Sequence, residues 1–221
     1  METSSPGLTV DVTVVAAAEA AVAGATAAAA VPAVEMAAVA EAPPPTKRKF
    51  YNGWTHDHYI TNLFVFCPDG TIVPCVLNCP GSMHDSELAA FGRIYDKLQV
   101  LYERNGGKCV MDSAFCARGN NFVIKSVQNY HSANNAEEFM MLTEATSMRQ
   151  AAEWGMRALQ GSFPRLKCRM VYEEKGERQL ILESIVLLYN WRANTVGINQ
   201  IRTTFMPYLD KNCDQMVNDL L

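Results

Sequence analysis

Tyr59-Ile60-Thr61-Asn62-Leu63-Phe64-Val65-Phe66, then Pro68-Asp69-Gly70, then Thr71-Ile72-Val73-Pro74-Cys75-Val76-Leu77, decide the fold class of this chain. Two runs rich in β-branched and aromatic residues around a Pro-Asp-Gly turn predict paired strands. Pro74 has no amide hydrogen, so its strand must carry it at an edge or a bulge. Downstream, Leu88, Phe91, Tyr95, Leu98 and Tyr102 recur near a 3.6-residue period and predict a helix that Asn105-Gly106-Gly107 stops. Lys108-Cys109-Val110-Met111 is a short apolar run ending in Asp112, read as a buried strand with a carboxylate at its C-terminal end. Asn121 to Lys125 is a further strand-like piece, and Ser126 to Thr146 is polar and expected to be irregular. A helix is expected after Thr146 or Ser147, with Gln150 completing a capping box from Ser147, ending at Gly161. The next, Arg178 to Arg192, is apolar almost all round and is expected to be deeply buried. Together these elements predict an α/β fold, a mixed sheet flanked by helices.

The chain has 221 residues, 49% apolar and 19% charged, which excludes a disordered or fibrous polymer. Its formal net charge of −4 excludes a uniformly basic nucleic-acid coat but leaves room for a local basic face. Seven cysteines, without the density of a small secreted scaffold, read as reduced thiols inside a cell. Residues 1–49 differ from the rest. Between Ala16 and Ala42, sixteen of 27 residues are alanine, without a stripe of large side chains to dock on a core. Pro32 interrupts the uncharged run between Glu19 and Glu35, which falls short of the roughly 20 strongly apolar residues a membrane helix needs. Glu2 and Asp11 stand where a secretory signal carries positive charge. The expectation is a low-complexity tail, then the spacer Pro43-Pro44-Pro45 and the basic linker Lys47-Arg48-Lys49. That cluster reads either as a short nuclear-import signal or as solvated linker charge. The folded domain is then expected over 50–209, with an acidic tail over 210–221. The chain is expected to be nuclear, otherwise cytoplasmic, and not secreted.

Glu153 is the acidic residue of the second helix. Met148, Ala151, Ala152, Gly155 and Leu159 share one face, small enough for close approach to a sheet, while Glu153 lies off it, one turn from Arg149 and Arg157. Taken alone, Glu153 reads first as an ordinary surface carboxylate paired with those arginines. Between Ala145 and Met170 stand Arg149, Arg157, Arg165, Lys167 and Arg169 against one acid, a local excess suited to a phosphate backbone or to a plain solvated face. Cys75, Cys79, His56 and His58 are too spread along an extended chain for one zinc ion, and buried thiols are the better reading. No phosphate loop, dinucleotide fingerprint or serine-hydrolase elbow is present, so no nucleotide cofactor is expected.

Tyr51-Asn52-Gly53-Trp54-Thr55-His56-Asp57-His58, Pro80-Gly81-Ser82-Met83-His84-Asp85-Ser86 and Val110-Met111-Asp112-Ser113-Ala114-Phe115 resemble the DDE superfamily endonucleases of Harbinger-type transposons. Arg149-Gln150-Ala151-Ala152-Glu153-Trp154-Gly155 and Phe163-Pro164-Arg165-Leu166-Lys167 fit the same family's terminal acidic helix. The resemblance runs from about Phe50 to Ile201 and implies a ribonuclease-H-like sheet. It implies three carboxylates holding two divalent metals, Mg or Mn, for cleavage of DNA phosphodiesters. Carried over by motif, Asp112 is the second acid and Glu153 the third, both catalytic and metal-binding. His84 and Asp85 take structural or supporting roles; read from the residues alone, Asp85 is a helix N-cap. Arg149, Arg157, Arg165, Lys167 and Arg169 become DNA contacts, and a separate DNA-binding protein is implied for target recognition. One departure matters: the family's first Asp lies on a central strand in an Asp-Gly context, and no Asp-Gly precedes Tyr51 here. Asp11, in the strand-like Leu8-Thr9-Val10-Asp11-Val12-Thr13-Val14, is about forty low-complexity residues from the core, too far to fix a geometry. The expectation is therefore an N-terminally truncated nuclease domain lacking its first strand and impaired in cleavage. The alternative is a non-catalytic DNA- or protein-binding remnant.

Overall fold

The computed structural model describes residues 9–18, 47–53, 56–112, 114–115, 119–125, 136–170, 174–197 and 199–206. In chain order its strands are β1 (Thr9–Ala18), β2 (Tyr51–Asn52), β3 (Asp57–Phe66), β4 (Ile72–Pro80), β5 (Lys108–Met111) and β6 (Val123–Lys125). Its helices are α1 (Asp85–Phe91), α2 (Ile94–Asn105), α3 (Ala136–Ser162) and α4 (Lys175–Val196). The spacer Pro43-Pro44-Pro45 and the acidic tail 210–221 lie outside the described residues.

The predicted strand pair forms, antiparallel, as β3 and β4. Phe66 faces Ile72 while Phe64 faces Cys75, so β4 holds one extra residue in this interval, and Pro74 sits within it. That bulge places Ile72 and Cys75 on the same sheet face despite their odd spacing. A second irregularity lies between the pairs Leu63–Val76 and Thr61–Cys79. Here Asn78 takes a left-handed conformation with φ of 58°, which asparagine tolerates better than most residues. The Asn62 side-chain oxygen accepts the Asn78 amide hydrogen at 2.8 Å and so satisfies the bulge.

The sheet runs β2-β3-β1-β5-β6, with β4 also paired to β3. β1 lies parallel to β3 and antiparallel to β5, and β5 lies parallel to β6. The composition places Thr9–Ala18 in a weakly ordered tail, but here the segment forms the middle of the sheet. The physical reason lies in Thr9-Val10-Asp11-Val12-Thr13-Val14-Val15, β-branched at all but one position. Without β1, the facing edges of β3 and β5 would have no partner among the described strands.

Helices cover both faces. On one, Ile60, Phe64, Phe66, Ile72, Cys75 and Leu77 pack with α3 and α4 through Ala151, Leu159, Leu182, Val186 and Tyr189. On the other, Leu63, Val65, Val76 and Cys79 pack with α1 and α2 through Leu88, Ala89, Ile94 and Leu98. The alternation along β3 deals its side chains to the two cores.

Three expectations about helices change. The helix read from Leu88 to Tyr102 is two helices, broken at Gly92 and Arg93, with Arg93 at φ 53°. Gly92 sits so close to Val76 that a Cβ would fall 2.1 Å from a Val76 methyl carbon, so packing on the sheet overrides the period. α3 begins at Ala136, not after Ser147. Ala136-Glu137-Glu138-Phe139-Met140-Met141-Leu142 is rich in good helix formers, and the polar character of this stretch hid them. α4 is not buried all round: Leu182, Ile185, Val186, Tyr189 and Ala193 are buried, whereas Leu180 is 64% and Trp191 67% exposed. Leu187 and Leu188 also face outward. No helix among the described residues is long and apolar enough to cross a membrane.

Candidate metal and nucleic-acid site

Asp112 follows the last residue of β5, where the sequence puts it. Glu153 lies on α3, held over the sheet by small residues. Ala151, Ala152 and Gly155 are buried, and a Cβ on Gly155 would fall 2.7 Å from the Phe66 ring. The two acids share one cationic side chain, Arg149. One terminal nitrogen of Arg149 lies 3.4 Å from an Asp112 carboxylate oxygen, and the other 3.5 Å from a Glu153 oxygen. Both acids and the arginine are partly exposed, with side-chain exposures of 49%, 53% and 39% for Asp112, Glu153 and Arg149. The ordinary i,i+4 pair read from the sequence therefore exists, but Arg149 also reaches a second element 37 residues away.

The donor set decides what this site could hold. Two half-exposed carboxylates suit one hydrated magnesium or manganese ion, which keeps several waters and takes one or two protein carboxylates. No group of three or more His, Cys, Asp or Glu side chains that could hold a metal ion occurs among the described residues. Two shared ions would need a further acid. Asp11 lies in β1 opposite Thr61. The β1–β5 pairing covers Ala16–Ala18 against Lys108–Val110, so Asp11 lies beyond its end.

His84 and Asp85 stand at the start of α1. His84, not Asp85, is the N-cap, and its amide hydrogen is accepted by Glu87 at 3.4 Å. Asp85 is the first helical residue, where a negative charge complements the helix dipole. Of the five basic residues, Arg149 is committed to the two acids and Arg169 lies 3.3 Å from Asp57. Arg157, on α3, and Arg165 and Lys167, on the short 3-10 turn Pro164–Lys167, are exposed. The sequence did not single out the Asp57–Arg169 pair; the two partners lie 112 residues apart and no local spacing announces them.

Cys75, Cys79 and Cys109 are buried. Burial pushes the Cys75 thiol from its usual 9.0 up to about 11, with Lys97 opposing the shift and Glu183 adding to it. Cys79 is pushed by burial up to about 12, against a smaller lowering by Lys175. Burial also raises Cys109 well above the ordinary thiol value, with Cys67 adding to the shift. Thiols held in the protonated state are poor metal ligands.

A family model described as DDE superfamily endonuclease matches residues 35–190, most of the described structure. No curated protein sequence and no solved structure matches the chain. Endonucleases of this kind generally use divalent metal ions and act on DNA. From the extent of that match, together with acids at the end of a sheet strand and on a following helix, the chain belongs to the DDE superfamily endonucleases.

Proposed function

We propose that the chain is a transposase-derived, metal-dependent DNA endonuclease domain of Harbinger type, with a ribonuclease-H-like sheet and weakened cleavage. Asp112 and Glu153 bind Mg²⁺ or Mn²⁺, which polarises the scissile phosphate and activates water when bound. The observation that carries this reading is their convergence, from β5 and from α3, on a single guanidinium. The antiparallel set β2-β3-β4 beside the parallel pair β5–β6 supports the sheet assignment. His84 and Asp85 order the start of α1, and Arg157, Arg165 and Lys167 contact the DNA backbone. Weak cleavage follows from the lack of an Asp-Gly before Tyr51, where the resemblance puts the first acid, and from the register that sets Asp11 opposite Thr61. The nucleus is the compartment that fits such a substrate, and a separate protein selects the target.

The test is plasmid nicking in Mg²⁺ or Mn²⁺ by the chain, by Asp112→Asn and by Glu153→Gln. Slow nicking abolished by either substitution is expected. Nicking that survives both would place the chemistry elsewhere.

The same register favours a second reading, a binding remnant without cleavage. Its signature is DNA affinity that falls steeply with salt while no strand is cut.

A further inference from the structure

We propose that Arg149 is the built-in counter-cation of the Asp112–Glu153 pair, and that a divalent metal binds only by displacing its guanidinium. This rests on the proposed metal role of the two acids and adds what controls access to them. The fork of Arg149 reaches both carboxylates, one through each terminal nitrogen, and so sets one positive charge against the two acids. Its contacts of 3.4 and 3.5 Å are longer than the 2.7–2.9 Å of tight charge-assisted hydrogen bonds. At 39% side-chain exposure Arg149 also has room to move toward solvent. A loosely held, half-exposed cation is a replaceable one.

The charge balance gives the direction of the effect. Two carboxylates and Arg149 sum to one negative charge; two carboxylates and a divalent ion sum to zero. Holding both cations at once leaves the cluster positive, with like charges a few ångströms apart, so the guanidinium must leave as the metal enters.

The inference is tested by Mn²⁺ titration, with free Mn²⁺ counted by electron paramagnetic resonance. The full chain is compared with Arg149→Gln and Arg149→Met, the second keeping an apolar stem should glutamine disturb folding. Circular dichroism confirms the fold of each. Removing the competing charge is expected to tighten Mn²⁺ binding about tenfold, the scale of one like charge at a half-exposed site. In an Asp112→Asn background the same change at Arg149 is expected to have a much smaller effect. Equal or weaker binding by the neutral variants would overturn the inference and make Arg149 a scaffold that holds the acids together. Failure of every form to bind Mn²⁺ at millimolar concentration would instead overturn the metal-site reading, and this inference with it.

Discussion

Gly155 lies against Phe66 so closely that a Cβ at residue 155 would stand 2.7 Å from the ring carbons Cε1 and Cζ. The contact sets the height of α3 above the sheet, and with it the place of Glu153. Phe66 is fully buried and packs edge-on against Tyr189 at 6.1 Å, so the ring has little freedom to retreat. Gly155→Ala is therefore expected to destabilise the chain by about 1–3 kcal/mol through overpacking. Gly161, on the same helix, has nothing within 4 Å of its Cβ position. Gly161→Ala is expected to stabilise by roughly 0.5–1 kcal/mol through helix propensity. Urea unfolding of the two variants should move the midpoint in opposite directions.

Asn190 fastens α4 to the start of β4. Its side-chain oxygen accepts the Ile72 amide hydrogen at 2.8 Å, and its side-chain nitrogen donates to the Ile72 carbonyl at 2.9 Å. The position is buried, so Asn190→Ala strands a donor and an acceptor. A loss of roughly 1–3 kcal/mol is expected in chemical denaturation, with the slope unchanged.

Arg178 is 2% exposed, yet its Nε donates to the Asn78 side-chain oxygen at 3.1 Å and its guanidinium lies 5.8 Å from the Phe50 ring centre. Asn78 in turn donates to the Lys175 carbonyl at 3.1 Å, tying the β4 bulge to the first turn of α4. Lysine keeps the charge but loses the planar fork that satisfies this arrangement. Arg178→Lys is expected to lower the melting temperature by several degrees, a loss of about 1–2 kcal/mol.

The buried thiols give a pH dependence with a definite sign. Cys75 and Cys79 titrate at about 11 and about 12 when folded, against 9.0 in the usual state. Below pH 9 both states hold the proton and the contribution to stability is complete. As pH rises from 9 toward 11–12 the unfolded chain ionises first, and stability falls. Urea midpoints between about pH 8.5 and pH 10.5 should drop, and Cys75→Ala should flatten the slope. At neutral pH a thiol reagent should label the exposed Cys168 quickly and Cys75, Cys79 and Cys109 only on unfolding.

Local signals were strong where chemistry is local. The turn at Pro68-Asp69-Gly70, the stop at Asn105-Gly106 and the acid closing β5 are each visible in a few residues. What stayed hidden depends on the rest of the molecule. Only Val76 explains why the helix breaks at Gly92, and only the packing of α4 on one side explains its outward leucines. The strand-like run of β1 is visible from Thr9 to Val15, but its place in the sheet is not; that comes from two strand edges far along the chain. The site followed the same division. Asp112 and Glu153 could be named from their motifs, but their meeting through Arg149 is a tertiary fact.

The position of β1 also governs how the protein comes apart. Among the described strands, β1 alone joins the β2, β3 and β4 group to the β5 and β6 group. If β1 detaches, one sheet becomes two separate ribbons, one antiparallel and one a short parallel pair. Asp112 goes with the smaller ribbon, while Phe66, against which Gly155 seats α3, stays with the larger. The amides of β5 and β6 should then exchange with solvent in step with those of β1, ahead of the β3–β4 ladder.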